Sequence, residues 1–214
     1  PQWCRTMCDW IRSLQTTSEL AAVMDDALLP HMLDSFWRLL ATTFRHGELV
    51  SKARRELSEV VSPADADGLL SSVSRQDDVL ARMGPMVGLA RVAHGQLTRE
   101  AYLEQWGHRG PFEAELSAPR PFEDPDWLDQ QLVTFTQSPV DVESLLAAHR
   151  AEFDAAWDRF ENRYPRHARS MRRRLKRAAE AARIREAARS ESMRLFWVVR
   201  TWVLRAGELI GIGD

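Results

Sequence analysis

The apolar positions of this chain recur at helical spacing almost throughout. From His31 to Arg45, the residues Leu33, Phe36, Trp37, Leu40 and Phe44 step by three and four, which places them on one helix face. A second stripe, Leu146, Phe153, Trp157, Phe160 and Tyr164, follows a start signal at Ser138-Pro139. A third begins Met171, Leu175, Ala178, Ala182 and resumes Met193, Phe196, Val199, Val203, Ala206, Ile210. Burial is expected at Trp37, Trp157, Phe160 and Phe196. Residues 3–29 predict one or two helices, with Ser18 as a cap and Pro30 as the break. Gly47 should interrupt before a more polar helix from Glu48 to Val61, and Ser62-Pro63 opens a short one. Asp77–His94 carries Val79, Met83, Met86 and Ala90 on one face, with a kink expected near Met83 from Gly84-Pro85. Shorter helices are predicted at Thr98–Trp106 and Asp126–Thr136, and Pro165 opens a last element of about 45 residues. No alternating β-branched run and no Asn-Gly or Asp-Gly hairpin signal occurs. The pattern predicts an all-α, multi-helix bundle with a long C-terminal helix. It reads as one domain over residues 1–214, with possible subdomains 1–97 and 98–214.

One stretch departs from this pattern. Tyr102–Pro125 reads YLEQWGHRGPFEAELSAPRPFEDP and holds Gly107, Gly110, Pro111, Pro119, Pro121 and Pro125. Prolines lack a backbone donor and bias their predecessors away from helix, so no continuous helix crosses it. Trp106, Phe112, Leu116 and Phe122 are too many bulky apolar residues for a disordered segment. An ordered loop is predicted, with Arg109, Glu113, Glu115 and Arg120 packed against something.

The second departure lies in the last helix. Continuing the Met171–Ala182 stripe in steps of three and four reaches Arg185, Glu186 and Arg189 before the apolar face resumes. Unpaired burial of such charges costs several kcal/mol each. The helix therefore either bends and solvates them or lines a wet functional cavity with them. The simplest arrangement satisfying loop and helix pairs Glu113 or Glu115 with Arg185 or Arg189, and Glu186 with Arg109. Around these positions, Arg163–Arg189 holds ten arginines and Lys176 against Glu180 and Glu186, a net +9 within a chain of net −2. A nucleic-acid stripe would look like this, but no recognition motif accompanies the charge, and a solvated helix face is favoured.

Composition narrows the classes further. The 44% hydrophobic and 28% charged fractions are those of an ordinary globular protein, and the net charge of −2 gives no bulk attraction to nucleic acid or anionic membrane. Nothing resembles a secretory signal, and no apolar run approaches the ~18 residues of a membrane span. Cys4 and Cys8, the only cysteines, stand at i,i+4 spacing and read as reduced thiols of a cytoplasmic protein rather than a metal site. His31, His46, His94 and His167 show no metal-ligand spacing, and His149 reads as a core histidine. No metal ligands are predicted.

The run Gly107-His108-Arg109-Gly110-Pro111, with Glu113, Leu116, Pro119-Arg120 and Glu123-Asp124-Pro125, resembles a signature of the phosphoenolpyruvate-synthase-like phosphotransferases. It is most similar to the rifampin phosphotransferases, an antibiotic-resistance group. Arg185-Glu186-x-x-Arg189, ahead of an aromatic and Arg200, is similar to a family element near the phosphate-transfer centre. Phe112, Glu115 and Pro121 stand where the family commonly has glycine, aspartate and an aromatic. The resemblance covers roughly Tyr102–Asp214. It implies a helical domain that binds a small-molecule acceptor, with no catalytic residue of its own. ATP and Mg would be bound by an ATP-grasp domain of the same polypeptide, and a phosphohistidine domain would deliver phosphate. Substrate or phosphate contacts would fall to Arg185, Glu186, Arg189, Arg109, Glu113 and Arg120. Beginning at Pro1 and ending Gly211-Ile212-Gly213-Asp214, the chain is expected to be a piece of such an enzyme, inactive alone. The alternative from the same residues is a non-catalytic helical scaffold that links or binds partner domains.

Overall fold

The computed structural model describes residues 2–137 and 141–212. Ser138-Pro139, Gly213-Asp214 and the side chains of Val79, Met83, Leu146 and His149 lie outside the described residues. Among the described residues the chain is helical and has no strand. The helices are α1 (Gln2–Ser13), α2 (Thr17–Val23), α3 (Leu29–Ser58), α4 (Pro63–Ala93), α5 (Arg99–Trp106), α6 (Trp127–Gln137), α7 (Val142–Arg163) and α8 (Pro165–Ile210). None is long and apolar enough to cross a membrane.

Several boundaries differ from the sequence expectation. The cap of α2 is Thr16, not Ser18. Its hydroxyl accepts from Glu19 N at 3.2 Å while the Glu19 carboxylate accepts from the Thr16 amide at 3.0 Å, a reciprocal capping box. Pro30 does not break the chain. A π-helical turn, Met24–Leu28, precedes it, and Leu29 N–H donates to Met24 O in the wider π spacing. The extra residue in that turn accommodates a proline that has no N–H to give. Gly47 likewise lies inside α3, because Leu49, Val50, Ala53 and Leu57 beyond it pack into a core. That packing outweighs the ~1 kcal/mol helix penalty of a glycine. Ser62 caps α4 as expected, accepting from Asp65 N with Pro63 at the first helical position, and α4 includes Pro85.

The chain forms two compact units, the first assembled from three separate segments and the second from two. The first comprises Pro1–Leu40, Thr98–Gln131 and Ala188–Asp214. Its core sets Cys8, Ile11, Leu20, Val23 and Leu28 against Leu195 and Val198. Arg205 donates from Nε and Nη2 to Leu14 O at 3.0 and 2.6 Å, satisfying a carbonyl just past the end of α1. Trp202 Nε1 donates to Leu20 O at 2.8 Å. The buried thiols are free, and burial raises both, Cys8 to about 11.

The second unit comprises Ala41–Leu97 and Leu132–Ala187. Its core draws Ala53 and Leu57 from α3, Leu69 and Leu70 from α4, Trp157 and Phe160 from α7, and Met171, Leu175 and Ala178 from α8. Trp157 is closed over by Arg172, whose guanidinium stands 4.5 Å from the indole centroid, and its Nε1 donates to Glu161 at 2.9 Å. Arg172 is thus part of the core's cover rather than only a solvated charge.

Two burial expectations fail. Trp37 is 61% exposed, and Leu29, Leu33 and Phe36 beside it are also exposed. Helical spacing identifies an apolar face but not what covers it. In α8 the buried face beyond residue 190 runs through Ser192, Met193, Leu195, Val198 and Thr201, while Val203 and Ile210 are exposed and Phe196 is half-buried. The straight extrapolation of the stripe was rotated, because polar Ser192 and Thr201 occupy buried positions and a hydrophobicity pattern passes over them. Replacing Trp157 by Ala should cost about 3–5 kcal/mol in a urea melt. Replacing Trp37 by Ala should stay within about 0.5 kcal/mol of the parent.

Candidate functional site

The site is built where the Gly/Pro loop meets the last helix. Thr98 caps α5, accepting from Ala101 N at 3.2 Å, and α5 delivers the chain to Gly107. Gly107 has ordinary helical dihedrals, so its glycine is required by space: a Cβ there would sit 2.8 Å from Phe122 Cδ1 and 2.9 Å from its Cβ. Phe122 N–H returns to Gly107 O at 3.3 Å, which closes the loop on itself.

Inside the loop Arg120 is the buried charge, bonded through Nη1 while its Nε and Nη2 are buried without a hydrogen-bond partner among the described residues. Arg120 is 1% exposed; its Nη1 donates to Phe112 O at 3.0 Å and Glu115 O at 3.2 Å. Its backbone N–H donates to Glu123 Oε2 at 2.7 Å. Burial pulls the Arg120 guanidinium below its ordinary value, and the nearby Glu123 carboxylate opposes that. The same Glu123 oxygen accepts from Arg200 Nε of α8 at 3.1 Å, and Arg200 Nη1 donates to Leu116 O.

Beside this lies an acid bridge. Glu113 accepts from Arg109 Nε at 2.6 Å on one oxygen and from Arg189 Nη2 at 2.5 Å on the other. Arg109 and Glu113 are each 12% exposed at the side chain, whereas Arg189 is 41% exposed. One carboxylate therefore ties two guanidiniums, one of which still reaches solvent. His108 is 3% exposed, with Nε2 at 2.8 Å from Ser190 Oγ. Burial first, then the cations Arg194 and Arg109, lower its pKa to about 3.

Of the residues predicted from sequence, Arg109, Glu113, Arg120 and Arg189 come together in the first unit. The expected Glu113–Arg189 pair is formed. Glu115 is not part of the cluster: its carboxylate accepts from Ser117 N and Ser117 Oγ, both at 3.0 Å, and these bonds hold its pKa below the usual range. Arg185, half-buried, and Glu186, buried, belong to the second unit. Sequence reasoning passed over Glu123 and Ser190 as partners and the carbonyls of Phe112, Glu115 and Leu116 as ligands. Backbone acceptors carry no residue signature, so only folding reveals them. No group of three or more His, Cys, Asp or Glu side chains that could hold a metal occurs among the described residues.

No family model, no curated protein and no solved structure matches this chain.

The histidine gives a pH test. A folded pKa of about 3 against an ordinary 6.5 means the unfolded chain takes up a proton first as pH falls. This contribution is fully present above about pH 6.5 and is lost progressively from there towards pH 3, with a slope of up to about 1.4 kcal/mol per pH unit. Urea melts of the parent should lose stability between pH 6.5 and 5, and His108→Asn should flatten that loss.

Proposed function

We propose that this chain is the acceptor-binding helical module of an ATP-dependent, phosphohistidine-using phosphotransferase of the phosphoenolpyruvate-synthase-like type. The observation that carries the reading is Glu113 bridging Arg109 and Arg189. Phosphoryl transfer needs positioned cations more than covalent chemistry from the protein. Arg189 is held at one nitrogen by a buried carboxylate while part of its guanidinium faces solvent, a geometry suited to a phosphate-bearing group. Glu113 fixes the fork, and Arg120 and Arg200 fix the loop that carries Glu113. ATP, Mg and the phosphohistidine would be supplied by other domains of the polypeptide.

A second reading, a non-catalytic scaffold, is favoured by one observation. Leu29, Leu33, Phe36 and Trp37 form an exposed apolar face on α3, and such faces mark protein contacts. The two readings differ in what Arg189 does.

In the full-length polypeptide, Arg189→Ala should lower phosphoryl transfer to the acceptor by roughly 10²–10³-fold, the scale of a lost charged contact to the transition state. Arg172→Ala should retain transfer while lowering thermal stability. The measurement is single-turnover phosphate transfer from labelled enzyme, with circular dichroism to confirm folding. Equal effects of both substitutions would favour the scaffold.

A further inference from the structure

The first unit contains a cavity of about 390 Å³ that the loop cluster does not use. Its size lies within the range of small-molecule sites. One wall is apolar: Leu103 of α5, Phe122 of the loop and Trp197 of α8. The two aromatic rings meet edge to face, centroids 4.6 Å apart at 72°, so each is held by the other. The charged lining divides by depth. Arg194 is 14% exposed at the side chain and is anchored by Glu191 and, at 3.3 Å, by Gln105 O. Arg5 stands near the mouth, 54% exposed, and pairs with Glu104 at 3.2 Å. Glu100 also lines the cavity.

We propose that this cavity binds a small aromatic monocarboxylate, its ring against Leu103, Phe122 and Trp197 and its carboxylate on the Arg194 and Arg5 guanidiniums.

Three features select that chemistry. Two rings braced edge to face favour an aromatic body, which can meet either ring by stacking or by its edge, over a flexible chain. Arg194 and Arg5 are each anchored by one acid, and a guanidinium has five N–H donors, so each keeps donors that a carboxylate can take. Glu100 and Glu104 at the lining repel a doubly charged phosphate more than a singly charged carboxylate. His108, which also lines the cavity, is kept neutral by its burial and by Arg194 and Arg109, so it adds a polar edge without a further charge. The inference goes beyond phosphotransfer and does not rest on it, since none of the cavity residues named here is in the Glu113 bridge.

The test uses the whole chain with indole nitrogens labelled by ¹⁵N-tryptophan, titrated with 2-naphthoate and, in parallel, with uncharged 2-naphthol. The Trp197 resonance, assigned by its loss in Trp197→Phe, should shift with 2-naphthoate while those of Trp10 and Trp37 do not. The naphthoate affinity should exceed that of naphthol by about tenfold, as for one added charged contact. Arg194→Gln should abolish the preference, with Arg5→Gln as the second variant should Arg194→Gln fail to fold. Leu103→Trp, which fills the cavity, should abolish binding of both probes with helicity unchanged. Equal affinity for the two probes, shifts spread over all the indoles, or undiminished binding to a folded Leu103→Trp would each overturn the proposal.

Discussion

A loop carrying Pro111, Pro119, Pro121 and Pro125 is short of backbone donors, and its carbonyl groups find partners elsewhere. Two guanidiniums supply them. Arg120, from the loop itself, serves Phe112 O and Glu115 O; Arg200, from α8, serves Leu116 O. One acid, Glu123, accepts from the Arg120 backbone N–H and from Arg200 Nε, and its charge lies near the Arg120 guanidinium. An uncompensated buried arginine costs several kcal/mol, so the carbonyls and the carboxylate are as necessary to the cations as the cations are to them. The position of Glu113, and hence of Arg189, follows from this arrangement.

The first unit therefore has two linked parts. Its apolar core joins α1 and α2 to the C-terminal part of α8 through Ile11, Leu20, Leu28, Leu195 and Val198. Its polar part fastens the loop to the same helix one or two turns away, through Arg189, Ser190 and Arg200. α8 thus presents side chains to both, and its polar positions there have structural partners. The cavity beside Phe122 and Trp197 uses the same loop and helix, which gives it walls that are already fixed.

Much of this was legible before folding. Helical spacing located the elements, and the stripe through Trp157, Phe160, Met171, Leu175 and Ala178 is the core of the second unit. The prolines located the loop, and the charged gap in the last stripe offered Arg185 or Arg189 as its partner, of which Arg189 bonds Glu113. What stayed hidden has physical causes. The π-helical turn before Pro30 preserves a helical path that a proline signal alone argues against. Trp37 lies on a helical apolar face without being covered. Arg205 to Leu14 O and Arg5 to Glu104 join residues far apart in the chain through a backbone atom or a single surface charge, neither of which leaves a local pattern.

The proline-rich loop is ordered by its arginines. Amide hydrogen exchange across residues 107–125 tests this ordering most directly. The N–H groups of Arg120, Phe122 and Glu123, which donate to Glu123 Oε2, Gly107 O and Arg120 O, should exchange slowly in the parent chain. All three should lose protection together in Arg120→Met, with the core amides around Leu195 and Val198 unaffected. Exchange at the rate of an unstructured peptide in the parent, or protection that survives Arg120→Met, would contradict it.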